Sequence, residues 1–117
     1  MSDDFRDHYT GCAIPFTQGL GALTIRIEHP RFLVSGRVET GEYNWAALTV
    51  ELTPARYIAE WVVLSDFLRS FANRSLPLEQ AAEEVVAHLK AELRPASVQV
   101  VLRTCGDDGF VYTVIAE

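Results

Sequence analysis

Two apolar stripes at helical spacing lie one after the other in the middle of the chain. Between Pro54 and Leu93, the residues Trp61, Leu64, Ser65, Leu68 and Phe71 fall on one helical face, and Phe67 widens it. A second stripe follows at Leu78, Ala81, Ala82, Val85, Val86, Leu89 and Leu93. The pattern predicts two helices. Asn73 tolerates left-handed backbone and suits the end of the first. Pro77 suits the opening turn of the second, where a missing N–H costs nothing, and Arg94-Pro95 breaks that helix.

On either side of this pair the period changes to two. Leu23, Ile25 and Ile27 alternate with Thr24, Arg26 and Glu28, a half-buried strand that Pro30 is expected to end. Phe32-Leu33-Val34 reads as a short extended piece before Gly36. A polar loop, Thr40 to Asn44, precedes a second strand in which Ala46, Leu48, Val50 and Leu52 face one way. After the helices, Val98, Val100 and Leu102 mark a third strand. Gly106-Asp107-Asp108-Gly109 then makes a hairpin turn, and Phe110, Tyr112 and Val114 alternate with Val111, Thr113 and Ile115 in a fourth. Residues 1–18 open with Asp3, Asp4 and Asp7, carry no period, and read as a surface arm; 19–117 read as one domain.

The order strand, strand, helix, helix, strand, strand predicts an α+β fold. Its four-stranded antiparallel sheet has two helices on one face. The uncovered face would hold Thr24, Arg26, Thr49, Glu51, Gln99, Val101, Val111 and Thr113. Two open edges on such a sheet invite pairing with another chain. The expected state is therefore a homo-oligomer joined through sheet edges, up to a closed barrel.

Composition narrows the function classes. A chain of 117 residues is one domain, and 49% hydrophobic with 22% charged residues is ordinary for a globular protein. The formal net charge is -6, and Lys90 is the sole lysine among scattered arginines, so no nucleic-acid footprint appears. No apolar run approaches the ~18 residues of a membrane span, and no charged-then-apolar leader opens the chain. With two cysteines, Cys12 and Cys105, no disulfide framework forms, and a reduced, cytoplasmic protein is expected. His8, Cys12, His29 and Cys105 match no zinc spacing, nothing near Cys12 in sequence lowers a thiol pKa, and no phosphate loop or catalytic-triad signature is present.

The loop before the second strand, followed by the helix pair, resembles a known family. The chain reads Arg37-Val38-Glu39-Thr40-Gly41-Glu42-Tyr43-Asn44-Trp45-Ala46, then Pro54. Next come Glu60-Trp61-Val62-Val63-Leu64-Ser65-Asp66-Phe67-Leu68-Arg69-Ser70-Phe71-Ala72-Asn73 and Pro77-Leu78-Glu79. With the same spacing from Thr40 to Glu79, this resembles the tunnelling-fold proteins, most closely the NADPH-dependent 7-cyano-7-deazaguanine (preQ0) reductases of queuosine biosynthesis. Those enzymes carry Cys-Pro-x-Thr-Gly-Gln-Pro-Asp-Phe-Ala in the loop. Glu-Ser-Lys-Ser-Leu-Lys-Leu-Tyr-Leu-Phe-Ser-Phe-Arg-Asn follows in the first helix, and Phe-His-Glu opens the second.

The resemblance implies a site and shows how far this chain departs from it. The family's nucleophilic cysteine falls on Arg37, whose guanidinium stays protonated and forms no thioimide. The family's acid falls on Asn44, which has no titratable proton. The histidine beside the substrate glutamate is Leu78, and the two cofactor lysines are Val62 and Ser65, so NADPH is not expected. Glu60 and Glu79 remain. The resemblance therefore implies a purine, deazapurine or pterin held at a subunit interface by Glu79, without nitrile reduction. The alternatives are a tunnelling-fold enzyme of other chemistry (cyclohydrolase-like or a transferase), an active reductase relative, or a purely structural oligomer. Each candidate also has a plainer role. Glu79 serves a helix macrodipole, Glu60 starts a helix, Arg37 is solvated, Asn44 holds a turn, and Trp45 packs. Arg37 as an anion-binding group for a phosphorylated ligand is the sharper reading of that position.

Overall fold

A computed structural model describes residues 13–15, 23–37, 42–106 and 108–117, with side chains described at all of these except 34–37, 42–44 and 73. The elements in chain order are strands β1 (Ala13–Pro15), β2 (Ile25–Arg37), β3 (Glu42–Thr53) and β4 (Tyr57–Ala59). Helices α1 (Trp61–Arg69) and α2 (Leu78–Leu93) follow, then strands β5 (Ser97–Cys105) and β6 (Val111–Ala116). The main sheet is antiparallel with order β2-β3-β5-β6, and β1 pairs antiparallel with β4 in a second, two-stranded sheet.

Alternation decides which side of the sheet is buried. Leu48 pairs with Leu102, Val50 with Val100 and Leu52 with Val98, and all six are buried. Against them lie Leu64, Phe67, Leu68 and Phe71 from the α1 segment and Ala81, Ala82, Val85, Leu89 and Leu93 of α2. Phe71 stacks tilted on Phe32 of β2 at 5.1 Å and edge-on against Phe67 at 5.3 Å. Truncating one such residue, Leu89→Ala for instance, costs about 2–5 kcal/mol, because the cavity cannot fully collapse. The opposite face carries Arg26, Thr49, Glu51, Gln99, Val101 and Thr113 as read from the sequence, with Arg26 Nε donating to Glu51 Oε1 at 2.7 Å.

Five local expectations are corrected. Pro30 does not end a strand: β2 runs through it, and the register slips between His29 and Leu33. An edge strand tolerates proline at a bulge, where no ladder N–H is required. Part of the expected polar loop, Glu42 to Asn44, is already strand, paired with Arg37, Gly36 and Ser35. Tyr57–Ala59 is extended rather than part of the helical stretch, and it recruits Ala13–Pro15 from the arm. Trp61 opens α1 but is 59% exposed, so it is not on the buried stripe. Finally, α1 runs into a tight 3-10 turn, Ser70–Asn73. Among the described non-glycine residues only Arg94, after α2, has positive φ, at 45°. The predicted turn is present at its described positions: Gly109 takes a φ of 88° and the Gly106 N–H reaches the Phe110 carbonyl at 2.8 Å. No helix among the described residues is long and apolar enough to cross a membrane.

Candidate functional site

Glu79 lies in the first turn of α2, a helix that opens at Pro77 with no side-chain cap. An acid there meets the unsatisfied N–H groups and the positive end of the macrodipole. The Tyr112 hydroxyl of β6, the edge strand, donates to Glu79 Oε1. That bond, helped by the Glu79 backbone N–H, holds the carboxyl below its ordinary value; the carboxylate in turn pushes the Tyr112 phenol up. Glu79 is exposed, and Tyr112 is 52% exposed. The pair presents an anionic acceptor next to the accessible face of an aromatic ring.

Glu60 has a local task. It sits in extended conformation as the N-cap of α1, where its two oxygens accept the Val62 N–H at 3.2 Å and the Val63 N–H at 2.9 Å. Both carboxylate oxygens serve the helix end.

Arg37 and Asn44 are described as backbone only, and their side-chain roles lie outside the described residues. Arg37 pairs with Glu42 at the tip of the β2–β3 ribbon, and Asn44 pairs with Ser35. Glu79 leans on β6, the opposite edge. From β2 to β6 is three strand spacings, about 14 Å at the usual separation. Within one chain the sheet therefore keeps Glu79 apart from the Arg37 strand, while Asn44 lies on β3, two spacings from β6.

Val62 and Ser65, where the sequence resemblance places the family's cofactor lysines, are both described. Val62 is exposed and apolar, whereas the Ser65 hydroxyl is buried, donating to the Val62 carbonyl at 3.0 Å and accepting from Arg69 Nη2 at 3.0 Å. Trp45 is 40% exposed, with the Arg31 guanidinium 6.0 Å from its ring, so it packs less completely than expected. Among the described residues no group of three His, Cys, Asp or Glu side chains could hold a metal ion. His29 Nδ1 accepts the Arg31 N–H at 3.0 Å and Cys105 is a free, exposed thiol, while His8 and Cys12 lie outside the described residues. An open cavity of about 560 Å³ lies at the far end of α2, lined by Glu51, Lys90, Gln99 and Glu117 among others.

Sequence reasoning missed Tyr112. A signal existed: strand alternation places it on the helix-facing side with Val114, where a phenol hydroxyl needs a polar partner.

No protein-family model matches the sequence, and no curated protein matches it. Among solved structures, the chain is similar to the archaeosine synthase QueF-Like in its apo form. The TM-score is 0.66 at 18% sequence identity, over 80% of this chain and 90% of that one. At that identity the likeness is one of fold. The chain has the α+β arrangement of two helices on an antiparallel sheet expected of the tunnelling fold.

Proposed function

We propose, starting from that fold, that the chain is a binding or accessory protein that holds a purine, deazapurine or pterin through Glu79. In this reading it acts in the cytoplasm without nitrile reductase chemistry. The observation that carries it is the exposed Glu79 carboxylate, held by the Tyr112 hydroxyl and presented at a helix start. An amidine-like heterocycle edge offers two adjacent N–H donors, and a carboxylate accepts both, one on each oxygen. The fold shared with an archaeosine synthase lends this direction further support.

The binding site in this reading is completed by a second subunit. Pairing of a β2 edge with the β6 edge of a neighbour brings the Arg37 strand of one copy, with the Asn44 strand one spacing behind it, towards Glu79 of the other. Glu79 then anchors the ligand edge, and the neighbour's β2 strand faces its remainder.

Calorimetric titration of guanine, 7-cyano-7-deazaguanine and neopterin against wild type and Glu79→Gln tests this, with melting temperatures measured alongside. A glutamine sets a donor against the ligand N–H groups. Charge-assisted bonds are worth ~1.5–3 kcal/mol each, so affinity is expected to fall at least ~10-fold. Melting temperature is expected to change little, because an exposed helix-start acid adds only weakly to the macrodipole. Absence of binding by all three, or equal binding by both proteins, leaves Glu79 as a plain helix-start acid and removes the proposal.

A further inference from the structure

We infer that Tyr112 is a positioning residue for Glu79, setting the orientation of the carboxylate that receives the ligand. This rests on the reading of Glu79 as the ligand anchor. An exposed glutamate at a helix surface has three rotatable side-chain bonds and no fixed carboxylate plane. Tyr112 supplies one. Its hydroxyl, carried on a strand that packs beside α2, ties Oε1 to the sheet and links two residues 33 positions apart in sequence.

The hydrogen-bond inventory shows why the tie is compatible with ligand binding. A carboxylate offers about four lone-pair positions, and the phenol takes one. The residue's own backbone N–H draws on another, which leaves two for a ligand with two adjacent N–H groups. The same arrangement disfavours a ligand that presents an acceptor, because two acceptors would face each other across an ionised group. The Tyr112 ring, half exposed beside the carboxylate, offers a face on which a flat heterocycle can stack. The hydroxyl also holds the Glu79 carboxyl below its ordinary value; the other lowering contribution is the residue's own backbone N–H.

Two readouts test the role. The first is carbon NMR titration of the Glu79 side-chain carboxyl, which needs no ligand. In wild type it titrates below the ordinary value of 4.5, and in Tyr112→Phe it moves up towards that value. The second is titration of neopterin and 7-cyano-7-deazaguanine. Tyr112→Phe, which keeps the ring, is expected to weaken binding about 3- to 10-fold with an unchanged melting temperature, and Tyr112→Ala to weaken it further. If Glu79→Gln abolishes binding while Tyr112→Phe matches wild type, the positioning role is overturned and the anchor reading stands. If the carboxyl titrates identically in wild type and Tyr112→Phe, the positioning role is likewise overturned. If wild type binds neither probe, both fall.

Discussion

The Arg74 guanidinium holds the Glu84 carboxylate at two points, Nη1 to Oε2 at 2.6 Å and Nη2 to Oε1 at 3.1 Å. Arg74 follows the 3-10 turn and Glu84 lies on α2, so this pair ties the connection between the helices to the second helix. The guanidinium also lies over the Phe71 ring at 5.1 Å, and Gln80 Nε2 donates to Glu84 Oε1 at 3.2 Å. Fork geometry of this kind requires arginine, since a lysine ammonium cannot reach both oxygens together.

The pair predicts a pH-dependent contribution to stability. The Arg74 hydrogen bond pulls the Glu84 carboxyl below its ordinary value. A carboxyl depressed in the folded state stabilises above the unfolded-state pKa, and that stabilisation is lost as pH falls through the folded value. Both side chains are about a third exposed, so solvent screening limits the contribution to about 1 kcal/mol. Glu84→Gln is therefore expected to melt earlier than wild type at pH 7. Below the folded-state pKa of Glu84 the ionic part of that difference is expected to close. A gap that stays constant from pH 7 to pH 3 would show that the pair contributes no ionic stabilisation.

Arg94 carries backbone strain that a single substitution should relieve. At φ 45° and ψ 54° it is left-handed, closing α2 with its N–H on the Lys90 carbonyl at 3.1 Å. That region costs a residue with a Cβ about 1–2 kcal/mol, and glycine almost nothing. Glycine gains flexibility in the unfolded chain, which offsets part of the benefit. Arg94→Gly is expected to stabilise by up to ~1 kcal/mol and Arg94→Val to destabilise, as read by urea unfolding. A glycine variant less stable than wild type would mean the guanidinium makes a contact worth more than the strain.

The buried side of the sheet was legible because Leu48, Val50 and Leu52 keep strict alternation, and a one-residue slip would expose all three. The helices were legible for the same reason at a period of 3.6, and the hairpin because Asp108-Gly109 demands a particular turn. The rest is not periodic. Tyr57–Ala59 and Ala13–Pro15 are three residues each, too short for a period, and each is a strand because the other exists. Pro30 reads as a stop unless its strand is known to be at the sheet edge. Arg94 reads as an ordinary helix end, because Pro95 announces the stop without saying which residue adopts the left-handed conformation. In the candidate site, Glu79 is singled out by its place in the family resemblance, and its contact with Tyr112 was not legible, since it joins distant segments.

The open strands predict the assembly on which the shared site depends. β2 and β6 end the main sheet, and β6 exposes Val111, Tyr112 and Ile115. Unpaired strand edges bearing apolar side chains favour edge-to-edge association. Light scattering at micromolar concentration is expected to return a stable oligomer, and Val111→Lys combined with Ile115→Lys to shift it towards monomer. A wild-type monomer would remove the shared-site proposal, while leaving binding by Glu79 within one chain to be judged by titration.

Reduction of 7-cyano-7-deazaguanine by NADPH needs a thiolate to form a covalent thioimide, a proton donor and a cation for the cofactor. Position 37 holds an arginine, whose guanidinium stays protonated and leaves no nucleophilic nitrogen at neutral pH. Position 44 holds an amide with no proton to give. At the positions of the cofactor lysines, Val62 is apolar and the Ser65 hydroxyl is engaged with the Val62 carbonyl and Arg69. Arg69 keeps a positive charge nearby, but it lies 3.4 Å from Asp66, which offsets it. Wild type is expected to consume no NADPH above background with this nitrile. Arg37→Cys combined with Asn44→Asp is expected to stay inactive, because the nucleophile and acid alone do not restore the cofactor contacts. The measurement is absorbance loss at 340 nm together with mass detection of the amine product, in protein freed of host reductase. Turnover by wild type would overturn the binding-only reading. Turnover by the double variant alone would show that NADPH still binds without the lysines, locating the loss of chemistry at positions 37 and 44.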